Sequence, residues 1–291
     1  MTVSVLIPVR NGEGFICEAL RSILAQTYRN IEVIVINDGS TDYTAELITK
    51  YFPSVILLNQ RASGQAAALN SGILHSTGEF IALLDSDDVA DPKRLEIQLE
   101  YLKENPNAVF CFSDRFNLYS DGSKLTRVFP REMKTILDLL RYNFVTRSTV
   151  MIRRSCLTSG IYFDEEITGN DDWLMWLKLL CRGDAIYITK PLVNYRIHDK
   201  NISKTRPKRL VHHCWVKLRM LEKLCEEESI RDILRSRWMS AWVMYKLSTV
   251  FYGKLGEWIF SKLIRLEEEV FRIIDRANKS HTQKIFRAKD F

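Results

Sequence analysis

The 291-residue sequence predicts an α/β fold: a mainly parallel, doubly wound sheet with helices on both faces, followed by a basic helical extension. Three observations carry this. Strand-like apolar runs and amphipathic stretches alternate four times within the first 105 residues. Those runs are almost continuously apolar, as strands buried on both faces are. Beyond about residue 204 strand-like runs stop and basic residues come to dominate.

Taken in order, TVSVLIPV reads as a first strand and EGFICEALRSILAQ carries apolar residues at helical spacing. The alternation repeats as IEVIVIND then TDYTAELITKYF, and as SVILLNQ then GQAAALNSGILHST. It ends with FIALLDSDD then DPKRLEIQLEYLKEN, where Pro92 suits a first helical position. Four such units imply right-handed crossovers between parallel strands. AVFCFSDRFNLYSDGSKLTRVF then reads as strand, Asp-Gly turn and strand, before a helix near 132–142 and a strand at STVMIRR. The tail predicts helices at 206–228, 230–251 and 255–279 and no further strand.

Composition narrows the class. With 46% hydrophobic residues the chain can bury the core of one large or two modest domains. The opening MTVSVLIPVRNGEG has neither a basic leader nor a leader-length apolar stretch, and no run approaches the roughly 18 apolar residues of a membrane span. Cys17, Cys111, Cys156, Cys181, Cys214 and Cys225 form no CxxC pair, so neither a zinc site nor a disulfide framework is expected. A cytoplasmic setting follows as the expectation. Lys and Arg total 42 against 36 Asp and Glu, and residues 201–291 hold 20 of the former against 11 of the latter. That tail could be a solvated face or could meet an anionic membrane surface or acidic partner. Its aromatic residues Trp238, Trp242, Tyr245 and Phe251 suit a core, a homo-oligomer seam or a membrane-interface face.

Function is sought where doubly wound sheets bind ligands, beyond the carboxyl ends of the strands. Arg10 and Asn11 follow the first strand, Asp38 and Gly39 the second, Gln60 and Arg61 the third, and Asp85, Ser86, Asp87 and Asp88 the fourth. Three carboxylates in four positions raise one another's pKa unless something positive sits among them. Such a cleft can do acid/base chemistry, bind a cation, or hold a divalent metal completed by water and substrate phosphates. Neither GxxxxGK[ST] nor GxGxxG is present, so phosphate binding through metal is favoured.

The segments VSVLIPVRNGEGFICEALRSILAQTYRNIEVIVINDGSTDYTAELI, GQAAALNSGILHSTGEFIALLDSDD, STVMIRR, GNDDWLMWLKL and YRIHDKNIS, in this order, resemble glycosyltransferase family 2, whose members adopt the GT-A fold. The resemblance spans roughly residues 2–203. It implies an inverting transfer of sugar from a nucleoside-diphosphate donor, UDP-linked by preference, to a saccharide or lipid-linked acceptor in cell-surface polysaccharide or glycoconjugate synthesis. Residues 1–105 would form the nucleotide-sugar half, 106–203 the acceptor half, and 204–291 a basic region suited to peripheral membrane contact. Donor contacts are implied for Pro8, Arg10, Asn11, Asp38, Arg61, Gln65, Asp85 and Ser86. Asp38 would meet the base or ribose. Asp87, Asp88 and His198 are the implied ligands of Mn²⁺ or Mg²⁺, with Asp85 or Asp88 orienting the donor sugar, the metal or its waters. Asp172 is the candidate base, with Asp171 beside it where the family shows Glu; the helix start they occupy is expected to keep them ionised. Trp173 and Trp176 suit core packing, or a wall for a sugar.

One departure concerns phosphate. Many relatives carry Arg before the Asn of a GxxAARN-like segment, where this chain has Leu69 before Asn70. Arg61 or Arg196 could compensate, and Leu69 could equally pack its helix on the sheet. Asp114 reads as a turn residue or an acceptor-side marker. Rival classes fit less. A nucleotidylyltransferase would carry a Gly/Arg/Lys-rich phosphate loop, which PVRNGEG matches poorly, and a nucleic-acid binder would leave the phosphate-repelling Asp cluster unexplained. An inactive GT-A-like binding or scaffold subunit would keep the same fold.

Overall fold

The computed structural model describes residues 1–127, 139, 143–157, 162–167, 169–199, 201 and the backbone of 286–289. The chain divides into two compact units, Met1–Asn201 with Ile285–Phe291, and Ile202–Lys284. The second unit, the three expected tail helices and the aromatic residues on them lie outside the described residues. So does the expected helix at 132–142, save for Leu139.

The first unit is built on one sheet. Its strands are β1 (Val3–Val9), β2 (Ile31–Asp38), β3 (Ile56–Gln60), β4 (Phe80–Leu83), β5 (Val89–Ala90), β6 (Ala108–Leu118), β7 (Lys124–Arg127), β8 (Met151–Arg153), β9 (Asp184–Arg196) and β10 (Phe286–Lys289). The main path runs β10-β9-β6-β8-β4-β1-β2-β3, with β5 on β9 and β7 on β6. Helices α1 (Ile16–Leu24), α2 (Thr44–Tyr51), α3 (Gln65–His75) and α4 (Arg94–Glu104) follow the first four strands, and α5 (Asp171–Leu180) precedes β9.

The four predicted strand-helix units are present, and β4, β1, β2 and β3 run parallel. Beyond β4 the sheet becomes mixed: β8 pairs antiparallel with both β4 and β6, while β6 and β10 flank β9 in parallel. STVMIRR is also not strand throughout: Arg147–Thr149 form a 3₁₀ turn before β8. β8 therefore begins at the carboxyl end of β4, where the main-chain N–H of Leu83 donates to the Val150 carbonyl at 3.1 Å. That reversal delivers Arg147 and Ser148 to the ligand-binding edge. β5 does the same for the far side, pairing Val89 with Asn194 and so holding the end of β9 beside the Asp cluster.

Three smaller expectations change. Phe286–Lys289 is a strand, parallel to β9, where none was expected in the tail; KIFRAKD has no apolar run, and the outer edge of β9 supplies its ladder. SVILLNQ is an edge strand, with Ile56 and Asn59 exposed. α4 starts at Arg94, so Pro92 precedes the helix and its carbonyl accepts from the Thr27 N–H at 2.8 Å.

Alternation along β1 builds the core. Val3, Val5, Ile7 and Val9 bury against Ile16, Ala19, Leu20 and Ile23 of α1, while Leu6 and Ile36 face α3 on the opposite side. A glycine eases that second contact: a Cβ on Gly72 would lie 2.8 Å from Ile36 Cδ1, and the isoleucine tip would have to move aside. Leu69 is fully buried on the same helix, so the packing role foreseen for it holds. Pro8 is tolerated in a central strand because pairing to β4 ends at Leu6 and Leu83. Among the described residues no helix is long and apolar enough to cross a membrane.

Strand starts are pinned by Glu32. Its carboxylate accepts from Ser4 Oγ, from the Gly78 N–H at 2.9 Å and from Thr77 Oγ1 at 3.1 Å. Burial pushes its pKa up, yet these hydrogen bonds outweigh burial and hold it below the usual value. A Cβ on Gly78 would meet the Ser4 main-chain nitrogen at 2.6 Å and the Thr2 carbonyl at 2.8 Å. Gly78→Ala is expected to cost about 1–3 kcal/mol in urea unfolding; an unchanged midpoint would show that the strand starts can shift without cost.

Candidate functional site

The site assembles from loops at one sheet edge. The loops after β1 and β2 interlock through each other's backbone. Asn11, at φ +53°, accepts from the Thr41 N–H at 2.8 Å, and its own N–H donates to Ser40 Oγ at 2.9 Å. The Gly12 N–H donates to Thr44 Oγ1 at 2.9 Å, the Glu13 N–H to Asp42, and the Tyr43 N–H to Glu13. Gly39 adopts φ +69° with room for no Cβ, since one would lie 2.8 Å from the Ala62 nitrogen.

Asp38 ends β2 and is buried. It accepts from Gln60 Nε2 at 2.9 Å and from the N–H groups of Ser63 at 2.8 Å and Gly64 at 2.9 Å. It thereby fixes the turn that leads into α3. Arg10, Asn11 and Arg61 are exposed around this turn, while Pro8 is buried in β1 and Ser86 is half-buried.

The Asp cluster separates into distinct environments. Asp85 accepts from Arg147 Nε at 3.0 Å and from Gln65 Nε2 at 3.3 Å. Asp87 Oδ2 lies 2.9 Å from His198 Nε2 and 3.4 Å from Asn201 Nδ2. Burial and then the charge of Asp85 raise the Asp87 pKa, against the pull of His198. Asp88 is fully buried, accepting from Ser148 Oγ and from the Arg196 N–H at 2.9 Å. Burial, then Asp87 and Asp85, push its pKa well above the usual carboxylate range. Both of its oxygens are engaged inside the protein, so the ligand role expected of Asp88 does not match its surroundings.

His198 is held from several sides. Its ring stacks on Phe15 with centroids 4.7 Å apart, and its main-chain N–H donates to Asn201 Oδ1 at 2.6 Å. Arg196, whose side chain pairs with Glu18 and donates to the Asp87 carbonyl at 3.0 Å, lies over the same Phe15 ring. A carboxylate oxygen and an imidazole nitrogen at this spacing suit a divalent ion that completes its shell with diphosphate oxygens and water. Among the described residues no three His, Cys, Asp or Glu side chains converge into a full cage.

Across the cleft, α5 presents Asp171 and Asp172. Arg147 Nη1 pairs with Asp171 Oδ2 at 3.3 Å while its Nε holds Asp85. Burial pulls the Arg147 pKa down, but the charges of Asp85, Asp171 and Asp172 outweigh it and raise the net value. Asp172 accepts from its neighbour Trp173 N–H at 2.7 Å and from Asn143 Nδ2 at 3.3 Å. Its pKa is raised to about 6 by burial, which with the Asp171 charge outweighs the lowering by Arg147. The helix start was expected to keep Asp172 ionised by lowering its pKa; burial raises the pKa instead, and the carboxylate stays ionised only above about pH 6. Trp173 and Trp176 are core residues, 2% and 0% exposed, and the Trp176 ring packs on Phe110 at 5.6 Å.

The guanidinium on Asp85 is that of Arg147, which sits in no motif of the sequence reading. Arg61, considered above for a donor contact, is exposed, and Arg196 is engaged with Glu18. Arg94 was also missed. It is fully buried, donates through Nη2 to the Leu83 carbonyl at 2.8 Å and the Val150 carbonyl at 3.1 Å, and has its pKa lowered to about 10 by burial. In sequence it is one more charge on an amphipathic helix. Ser148 and Asn201 lay within recognised segments but had no assigned partner. Asp114 is a buried residue inside β6, accepting from Tyr187 Oη at 2.6 Å, and is no turn residue.

This architecture is shared with known enzymes. TarS of S. aureus, solved in complex with UDP-GlcNAc, superposes with a TM-score of 0.67 at 21% identity, over 83% of this chain and 72% of that one. The likeness shows that the sheet is that of the GT-A fold. The profile of Glycosyl transferase family 2 matches residues 4–158. A putative teichuronic acid biosynthesis glycosyltransferase of Bacillus subtilis, TuaG, is 31% identical over 76% of this chain and 89% of its own. An uncharacterised glycosyltransferase of Rickettsia typhi is 30% identical over 78% and 74%. The chain belongs to glycosyltransferase family 2.

Ser148 supports two carboxylate-bearing residues, donating to Asp88 while its Oγ accepts from the Asp85 N–H at 3.0 Å. Ser148→Ala is expected to destabilise the fold by about 1–3 kcal/mol, because Asp88 loses a buried partner. Thermal unfolding checks this, and an unaltered midpoint would mean that water replaces the hydroxyl.

Proposed function

We propose that this glycosyltransferase inverts configuration in one displacement, moving a sugar from a UDP-linked donor to a hydroxyl of a saccharide or lipid-linked acceptor in cell-surface polysaccharide synthesis. The observation that carries the reading is the arrangement in which Asp87 pairs with His198 after β4 while Arg147 joins Asp85 of the same loop to Asp171, next to Asp172, whose pKa burial raises to about 6. The UDP-GlcNAc bound by TarS and the polymer named for TuaG support the donor and the pathway class.

In this reading the buried turn set by Asp38 lines the nucleotide pocket, with Arg10, Asn11, Arg61 and Gln65 around it. Asp87 and His198 would hold Mn²⁺ or Mg²⁺, which when bound supplies positive charge to the diphosphate. Asp88 shapes the loop and stays out of the metal shell. Asp172 accepts the proton of the acceptor hydroxyl as its oxygen bonds to the anomeric carbon. The bond from that carbon to the phosphate oxygen breaks, and its electron pair leaves with the nucleoside diphosphate. Asp171, 4% exposed and paired with Arg147, has no free approach to the acceptor. An inactive scaffold would bind donor equally well but would leave it intact.

Calorimetric titration of UDP with Mn²⁺, repeated with EDTA and with Asp87→Ala, tests the donor side. Binding should require metal and vanish in the variant; metal-independent binding, or none to folded wild type by UDP, GDP or dTDP, overturns the assignment. For the chemistry, Asp172→Asn should lower UDP release from UDP-GlcNAc by about 10²–10⁴-fold with binding retained.

The pH dependence has a definite sign. Asp172 is neutral below its folded pKa of about 6, so turnover should fall tenfold per pH unit below that value and level off above it. A flat profile from pH 5 to 8 would remove Asp172 from the base role.

A further inference from the structure

We infer that Arg147 is a positioning residue that couples the two sides of the cleft: its single guanidinium clamps Asp85 on the donor side through Nε and Asp171 at the start of α5 through Nη1. The inference rests on the proposed role of Asp172 and adds a residue that neither the family motifs nor the sequence reading singles out.

The geometry is specific to a fork. Nε lies 3.0 Å from Asp85 Oδ1 and Nη1 lies 3.3 Å from Asp171 Oδ2, with the Arg147 side chain 11% exposed and the Asp171 side chain 5% exposed. Two carboxylates on elements far apart in sequence are thus set by one rigid plane, which a flexible ammonium cannot span in the same way. Asp85 is also reached by Gln65 of α3, so the clamp extends to the helix that opens beside the Asp38 turn. Asp172 follows Asp171 directly. Its placement at the first turn of α5 is therefore tied to the loop after β4.

Arg147 is placed on the cleft by topology. It opens the 3₁₀ turn before β8, and β8 runs antiparallel to β4. The positive charge on Asp85 therefore enters from the turn before β8. Around Asp172 the charged groups on the described elements are Asp171 on α5, Asp85 after β4 and Arg147; Asn143 adds a neutral hydrogen bond. Arg147 is the cation among them. Its removal leaves carboxylates facing one another.

The test compares Arg147→Met, Arg147→Lys and Asp172→Asn with wild type, reading two quantities. One is the titration of Asp172 by ¹³C carboxylate NMR, assigned as the signal missing in Asp172→Asn. The other is UDP release from UDP-GlcNAc with Mn²⁺. In Arg147→Met the Asp172 midpoint should rise by on the order of one pH unit as the opposite charge is lost. Turnover should drop about 100-fold through misplacement of the base. Arg147→Lys should restore the midpoint and leave turnover at least about tenfold below wild type, since a point charge does not hold both carboxylates. An Asp172 midpoint unmoved in a folded Arg147→Met protein overturns the inference, as does wild-type turnover in Arg147→Lys. Should Arg147→Met fail to fold, the lysine variant decides alone by its turnover. Undiminished UDP release in Asp172→Asn would instead sink the base reading, and the NMR midpoint would still report the coupling.

Discussion

Everything at this site depends on how Asp85, Asp87, Asp88, Asp171 and Asp172 are kept in mutual range. Burial raises the proton affinity of Asp87, Asp88 and Asp172, and the charge of Asp85 adds to it at all three, joined by Asp87 at Asp88 and by Asp171 at Asp172. The chain answers with different devices at each position. Asp85 and Asp171 share a guanidinium, Asp88 is sealed under a hydroxyl and a main-chain N–H, and Asp87 faces an imidazole. Asp172 alone keeps a partly exposed carboxylate without an ion-pair contact. In the proposed reading, chemistry is left to Asp172.

The sheet supplies these partners by reversing direction. A wholly parallel sheet would bring only strand ends and following loops to the ligand edge. The antiparallel β8 brings a strand start, and with it Arg147 and Ser148, to the same edge as the end of β4. The short β5 performs the matching service for β9, so that His198 and Asn201 reach Asp87 from a segment more than a hundred residues away in sequence. Arg94 sits beneath, bonding the carbonyls of Leu83 and Val150 and tying the two strands where the reversal occurs.

The sequence made the first half of this fold legible because its rules are local. Apolar runs of two-sided strands, helical spacing and an Asp-rich strand end all sit within a few residues of one another, and the strand-helix units at β1 through α4 follow from them. Asp38, Asp87, His198 and the Asp171–Asp172 pair were visible as motif residues. The antiparallel β8 was not, since a three-residue strand carries no directional signal. Nor were Arg147 and Arg94, because a lone arginine reads alike whether it is solvated or clamped between carboxylates. The need for a cation near the Asp cluster could be inferred from charge alone; which cation depended on a contact between residues 62 positions apart. Burial likewise overturned two local arguments. It raised Asp172 despite its helix-start position, and it withdrew Asp88 from the cleft.

Two adjacent aspartates at one helix start thus divide their work by exposure. Both gain from the N-terminal partial charge of α5, and the sequence alone ranks them only by family habit. In the structure Asp171 is buried against Arg147 and spends its charge in that pair, whereas Asp172 bonds only a main-chain N–H and an amide. A base must lose its proton near neutral pH and still bind one avidly in the transition state, which favours a carboxylate raised toward 6 over one held in an ion pair. The same contrast separates Asp87 from Asp88: Asp88 is fully buried with both oxygens accepting hydrogen bonds, whereas Asp87 is half-buried against His198. The two Asp-Asp pairs therefore follow one pattern, each with one carboxylate buried against protein partners and its neighbour partly exposed, as the proposed division between scaffold and chemistry requires.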